Sequence, residues 1–437
     1  MKKGPPLKAL SLATILICVC YLPILQHGVR RWPLEAKIEV SKEGKSRKTS
    51  SIQPVYCDRA HYRFDTCILQ GPTIMDPASK TFTILEPVVF VIVEKIRPYG
   101  RKWETDIMST IPELTLRTTT TTTTTTTTKQ CDVRHEAPAL VFSTGGYTGN
   151  LFHDFTDSII PLFITSRTFA SQPVLVLSRC HNWWLTKYNH ILGMLSPHPV
   201  VNLDNDTYTH CFPSVTLGLT SHDDLRINPD IMPRNETILD FRAFLDRAYS
   251  TRKSLSQPKC LRPRLVLVRR RGSRAILNER DLIKLAKRLG FEVKIFEPSK
   301  TTDLSQAYQL LNASHAMLGI HGAGLTHFLF MRPGSVFMQV VPLGGDSVSE
   351  SCFGGPARHL GLKYVAYKIE TNESSLIEKY DKNDIVLRDP RAVQRKGWTY
   401  TKNIYLESQD VSIDLQRMSS YLEHAYLEAK RFMEENG

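Results

Sequence analysis

Along the chain, short runs of branched apolar residues alternate with stretches in which apolar positions return every three or four residues. The first pattern predicts strands and the second predicts helices. PALVFST (138–144), PVLVLS (173–178) and HPVVNLD (198–204) read as strands, separated by helices over 150–163 and in TKYNHILGML (186–195). NETILDFRAFLDRAY (235–249) reads as a long helix. SLSQPKCLRP (254–263) then breaks regularity with two prolines and marks a lobe boundary. Beyond it the alternation is cleaner. RLVLVRR, FEVKIFEP, HAMLGI and GSVFMQVVP read as strands; NERDLIKLAKRLG, LSQAYQLLNAS and the stretch after HGAG read as helices. This order predicts a parallel, doubly wound sheet that binds ligands at the carboxyl ends of its strands. Before residue 138 the clearest apolar run is KTFTILEPVVFVIVEKI (80–96), a strand-rich opening.

With 437 residues, 41% of them hydrophobic, the chain has material for more than one compact domain. The formal charge of +13 is spread along its length. No zinc-finger spacing or RNA-binding aromatic signature accompanies it, so nucleic acid is not an expected partner. Lys2, Lys3 and Lys8 precede an uncharged run, ALSLATILICVCYLPIL (9–25), near the lower length limit for crossing a bilayer. No small-residue cleavage site follows, so the expectation is an uncleaved membrane anchor. A cytosolic tail (1–8) would precede it, with a polar basic stem (26–56) and a lumenal remainder after it. Eleven consecutive threonines (118–128) cannot specify packing and read as a solvated loop insertion.

Three stretches carry candidate chemistry. RRRGSR (269–274) follows a strand, and guanidinium groups suit phosphate oxygens through bidentate bonds. GIHGAGLTH (319–327) turns from strand to helix through Gly322 and Gly324, where backbone can approach a ligand and helix N–H groups face it. Both loops fall on one edge of one sheet, which points to a diphosphate. The Walker ending and the three-glycine dinucleotide spacing are both absent. The third stretch is TGGYTGNLFHDFTDSIIPLF (144–163). On a regular helix Asn150, His153 and Asp157 fall within roughly 60° of one another, with Asp154 flanking them. Phe152, Phe155, Ile159, Leu162 and Phe163 take the opposite side, and Pro161 should bend or end the helix. A solvated polar face is the plain alternative, but this face lacks the usual Lys and Glu. His153 four residues before Asp157 makes a base with an orienting carboxylate, and the two roles are exchangeable on sequence alone.

Asp204–Asn205–Asp206 has the form of a metal-diphosphate motif, but Asn205 opens a glycosylation sequon, and no metal site is expected. Further sequons stand at Asn235, Asn312 and Asn372. Cys57 and Cys67 are close enough to pair in an oxidising compartment.

Taken in order, CDRAHYRFDTC (57–67), FSTGGYTGNLFHDFTDSIIPLFIT (142–165), RRRGSRAILNE (269–279), GIHGAGLTHFLFMRPGSVFMQVVPLG (319–344) and the C-terminal IYLESQDVSIDLQRM (404–418) resemble plant glycosyltransferase family 61, in particular its grass branch of xylan arabinosyl- and xylosyltransferases. The resemblance implies a single-pass type II Golgi membrane enzyme with two Rossmann-like lobes facing a cleft, the GT-B arrangement. Residues 57–255 would form the acceptor-side lobe and 256–437 the nucleotide-sugar lobe. It implies inverting transfer from a UDP-sugar without an essential metal. Arg270, Arg274 and the turn His321, Gly322, Ala323, Gly324 and Leu325 would hold the UDP diphosphate. Gln339 stands where relatives often carry an acid, at a position expected to meet the ribose. The leading expectation is arabinofuranosyl transfer from UDP-arabinofuranose to xylan, with β-1,2-xylosyl transfer from UDP-xylose as the alternative. A reading of another class is an inactive sugar-binding partner in a Golgi xylan synthase complex.

Overall fold

A computed structural model describes residues 53–87, 91–119, 131–250 and 261–436. Two sheets organise it. The first contains β1 (Val55–Asp58), β2 (Thr66–Asp76), β3 (Thr81–Pro87), β4 (Val93–Ile96), β5 (Leu114–Thr119), β6 (Val133–Arg134), β7 (Ala139–Ser143), β8 (Val174–Ser178), β9 (Val201–Asn202) and β10 (His210–Leu217). Its main path runs β4-β5-β3-β2-β10-β7-β8-β9. Only β10, β7, β8 and β9 form a continuous parallel block; β2 pairs antiparallel with β1, β3 and β10. The first lobe is thus a mixed sheet, which corrects the expected doubly wound one. The reason is local. A parallel pair needs a long crossover, whereas the turn at Pro77–Lys80 joins β2 to β3 as a hairpin.

The second sheet holds β11 (Arg264–Val268), β12 (Glu292–Phe296), β13 (Ala316–Ile320), β14 (Val336–Val341) and β15 (Lys363–Lys368). All its pairs are parallel, in the order β12-β11-β13-β14-β15. Every residue of β13 and β14 is buried, as a parallel sheet covered on both faces requires. Strand order reverses between β11 and β13. That reversal is the topological switch point, where open α/β sheets bind ligands. The loops 269–274 and 321–324 leave the sheet at that point.

A helix passes between the two sheets. It starts at Leu151–His153, widens into a π-turn at Asp154–Ile159 and continues over Ile160–Ser166. Every residue from Asp154 to Thr165 is buried. The expected one-sided helix is therefore corrected: it is enclosed on all sides. Pro161 neither ends nor breaks it. Its missing N–H falls just beyond the wide turn, where regular i→i−4 bonding is already interrupted. Phe155 sets its ring edge-on to Tyr188, Phe241 and Phe330. Leu140 and Phe142 of the first sheet and Val266 and Met317 of the second join the same apolar core. A second core lies under the C-terminal helix Leu415–Asn436, which packs on β14, β15 and the helix Glu279–Arg288.

Disulfides join Cys57 to Cys67 across β1 and β2, and Cys131 to Cys211. Asn205, Asn235 and Asn372 are exposed, whereas Asn312 is half-buried and its Oδ1 accepts from Arg242. Among the described residues no helix is long and apolar enough to cross a membrane. The expected anchor (9–25) and the tail lie outside the described residues, as do nearly all of the stem, the threonines from 120 to 128 and the boundary at 255–256. The single membrane helix, the membrane partner and the single-pass Golgi placement are not carried forward.

Replacing Phe155 with Ala empties a volume where both sheets meet the helix. It should cost about 3–5 kcal/mol. Chemical denaturation of wild type and variant would measure this; an unchanged midpoint would contradict the shared core.

Candidate functional site

The strand β7 ends at Ser143, and the chain turns through Gly145, Gly146 and Gly149 into the central helix. Gly146 has φ 63°, and a Cβ there would meet the Tyr99 ring at 2.4 Å, so glycine is required for the turn to close over Tyr99. Asn150 caps the helix: its Oδ1 accepts from the Phe152 N–H at 3.1 Å. It does not join His153 and Asp157, as the regular-helix geometry had placed it. Asp154 is also occupied structurally, accepting from the Gly149 N–H and the Tyr188 hydroxyl, and burial raises its pKa.

His153 and Asp157 do meet. The His153 Nδ1 donates to Asp157 Oδ2 at 3.0 Å, leaving Nε2 as the ring's working nitrogen. The same oxygen accepts from Arg101 Nε at 2.9 Å and from the Tyr99 hydroxyl at 3.1 Å. Burial alone would raise the Asp157 pKa, but the His153 hydrogen bond and the Arg101 charge hold it below the ordinary carboxylate value. Tyr147 stacks on the His153 ring at 4.4 Å and donates its hydroxyl to Glu104, which also binds Arg101. The imidazole is thus fixed by a buried carboxylate below and an aromatic ring beside it.

Across the switch point the charges are arranged differently. Arg269 makes a two-pronged pair with Glu279, and Arg271 pairs with Glu297. Arg270 and Arg274 make no ion pair among the described residues. Burial and then the Arg270 charge pull the Arg274 pKa down to about 9, which leaves both groups cationic at neutral pH. The Arg270 guanidinium packs against Gly322, where a Cβ would lie 2.6 Å from it. His321 is buried beside the two arginines. Burial, then Arg274 and Arg270, push its pKa down to about 3, so it is neutral. Its Nδ1 accepts from the Gln339 amide at 3.0 Å and the Ser349 hydroxyl at 3.1 Å, which places the ring hydrogen on Nε2. Gln339 is fully buried, and its Oε1 accepts from the Tyr364 hydroxyl. The amide expected at a ribose instead orients His321.

A cleft of about 540 Å³ brings the two sides together. Tyr147, Gly149 and Asn150 of the glycine turn line it along with Arg270, Ala323 and Gly324. Three further residues lie there that were not among the expected site residues. Lys187 and Lys300 come from a helix and a loop, with the Lys187 ammonium donating to the Lys300 carbonyl. His327 is buried and neutral, its pKa pushed to about 4 chiefly by burial; Nδ1 donates to the Gly324 carbonyl and Nε2 has no protein partner. It closes the GIHGAGLTH stretch and lies in the last turn of the short helix Ala323–Phe330. Asp204 and Asp206 lie elsewhere, accepting from the Cys180 N–H and facing His210 respectively.

The amino-acid sequence has relatives among known proteins. Residues 137–338 match the family model described as Glycosyltransferase 61. A xylan glycosyltransferase of Arabidopsis thaliana is 44% identical over 416 residues, covering 91% of this chain and 83% of the relative. A beta-1,2-xylosyltransferase of Oryza sativa subsp. japonica is 36% identical, covering 84% of this chain and 82% of the relative. An alpha-1,3-arabinosyltransferase of the same rice is 33% identical, covering 92% and 70%.

Asp157→Asn removes the counter-charge of Arg101 and weakens the acceptor of the His153 hydrogen bond in a buried site. It should cost about 3–5 kcal/mol at pH 7. The carboxylate's folded pKa is depressed, so its contribution is present above the unfolded value and lost as pH falls through the folded one. Urea denaturation of both proteins should therefore show the gap narrowing below about pH 4. A gap that is constant with pH would contradict the pairing.

Proposed function

The chain belongs to glycosyltransferase family 61, and on that premise we propose that it transfers a pentose, with inversion, from a UDP-sugar to a xylan acceptor, with UDP-xylose as the donor. The observation that carries this reading is the pair Arg270 and Arg274, cations without acidic partners at the switch point of the second sheet. Two guanidinium groups there suit two phosphate groups, and the Gly322 turn lets a diphosphate approach the backbone. Xylan as acceptor is supported by the Arabidopsis relative named for it. The arabinosyl donor led on sequence alone. The higher identity to the rice xylosyltransferase, 36% against 33%, favours the alternative.

In the reaction, an acceptor hydroxyl gives its proton to His153 Nε2. The freed oxygen attacks C1 of the donor sugar from the face opposite UDP. The C1–O bond breaks, and its electron pair leaves on the diphosphate. Asp157 keeps Nδ1 protonated and stabilises the imidazolium that forms, in the manner of a base held by a buried carboxylate. Arg270, Arg274 and the N–H groups of the 322–325 turn stabilise the charge that develops on the leaving diphosphate. An inactive sugar-binding partner would have no use for a histidine held in one orientation by a buried carboxylate.

The test is a transfer assay with the full chain, UDP-xylose and UDP-arabinofuranose in separate reactions, xylo-oligosaccharide acceptors and linkage analysis of the product. UDP-xylose should give a pentosylated product; failure with both donors would sink the reading. His153→Ala should lower kcat by about 10²–10⁴-fold. UDP affinity should stay near the wild-type value, because the diphosphate is held from the other sheet. Near-normal turnover in that variant would overturn the assignment of the base.

A further inference from the structure

Beyond the lining of the cleft, an aromatic surface is linked to the His153–Asp157 pair. The disulfide Cys57–Cys67 closes a loop, and Arg63 fastens that loop to Asp223 and Asp224 at 2.8 and 2.6 Å. At its tip Tyr62 is 63% exposed, next to Trp103, which is 46% exposed. Their ring centroids are 5.9 Å apart with an interplanar angle of 36°. The guanidinium groups of Arg63 and Arg101 lie 5.0 and 5.2 Å from the Trp103 centroid, which holds the indole in place. Arg101 is also the group that bonds Asp157, and it lies 5.6 Å from the Tyr147 ring that stacks on His153. The exposed rings are therefore continuous with the catalytic pair through one arginine.

Charge distinguishes this surface from the cleft. The chain carries a net +13, yet every cation around these rings is paired. Arg59 binds Asp65 and Glu94, Lys102 binds Asp65, Arg63 binds two aspartates, and Arg101 binds Glu104 and Asp157. Arg270, Lys187 and Lys300, by contrast, line the donor cleft. An anionic ligand gains from the second set and nothing from the first. A neutral, flat ligand with C–H faces fits exposed aromatic rings and has no counter-ions to displace.

We propose that Tyr62 and Trp103 form a stacking platform for an uncharged pyranose chain, which receives acceptor units beyond the one that meets His153. The platform rests on the reading of the acceptor as xylan. A xylopyranose unit carries no C6 group, so both of its faces present C–H bonds to a ring. The loop disulfide and the Arg63 pairs fix the platform before the acceptor arrives, which limits the ordering cost of binding.

The experiment uses the full chain with Tyr62→Ala and Tyr62→Trp, and measures acceptor KM for xylobiose and xylohexaose, UDP affinity, and donor-free binding of xylohexaose. Tyr62→Ala should raise KM for xylohexaose about three- to tenfold, the effect of one aromatic contact. The KM for xylobiose and the affinity for UDP should stay at their wild-type values, and Tyr62→Trp should restore the long acceptor. An unchanged KM for xylohexaose overturns the platform and leaves the xylan reading standing. Equal losses for both acceptors, or loss of UDP affinity, also overturn it, because they report a disturbed fold. If wild type binds xylohexaose and Tyr62→Ala weakens that binding, but neither donor is used, the platform stands and the donor reading fails. A wild type that binds no xylo-oligosaccharide removes both.

Discussion

The structure turns on one buried carboxylate. A charge removed from water is tolerable only when it is paired and hydrogen-bonded. Asp157 meets that demand at one oxygen only: Tyr99, Arg101 and His153 all donate to Oδ2, and Oδ1 has no hydrogen-bond partner among the described residues. Two of the donors come from the segment between β4 and β5, and the third from the turn before it on the same helix. The helix is thereby tied to the edge of the first sheet, while its phenylalanines contact residues of both halves of the chain. The same bonds that make the carboxylate tolerable set the histidine's tautomer and direction. The contacts that bury the carboxylate and those that orient the proposed base are one set.

The second sheet shows the converse arrangement. Arg270 and Arg274 make no ion pair among the described residues, with Asp410 and Glu407 acting on them only at longer range, and His321 beside them is kept neutral by burial and by their field. Such a cluster is costly in the free protein and favourable once a polyanion arrives. Neighbouring arginines 269 and 271 are neutralised by Glu279 and Glu297, so the loop separates scaffold cations from site cations along six residues. The Gly322 conformation is needed for that separation, since a side chain there would push the Arg270 guanidinium aside.

Much of this was legible in the sequence. The strands β11, β13 and β14 follow plain periodicity because buried parallel strands are nearly uniformly apolar, and the edge strand β12 alternates instead. The proximity of the two ligand loops follows from strand order alone. The pair His153–Asp157 survived as well, since a four-residue spacing on a helix nearly always brings side chains together. What failed has identifiable causes. The central helix was read as one-sided because its charged residues Asp154 and Asp157 are bonded by partners far away in sequence, Tyr188 for the first and Tyr99 and Arg101 for the second. The π-turn also breaks the regular angle per residue. Strand β10 was missed because Pro213 interrupts its pattern; in the fold it lies at a bulge between Phe212 and Ser214. Gln339 looked like a ligand contact, whereas its neighbours in space make it a support for His321. Lys187 and Lys300 reach the cleft only through tertiary packing, which no local pattern encodes, whereas His327 closes the GIHGAGLTH stretch.

On the proposed reading, Arg270 and Arg274 are cations outside any ion pair among the described residues, and a diphosphate completes them. The most direct measurement is calorimetric titration of UDP into wild type and Arg274→Met, with the thermal midpoint of each ligand-free protein recorded alongside. The account predicts that the variant binds UDP at least about tenfold more weakly, as expected for losing one charge-assisted contact. It also predicts a ligand-free midpoint equal to or higher than that of wild type, since a buried like-charge contact has been removed. Unchanged UDP affinity, or a variant that melts well below wild type, would contradict it.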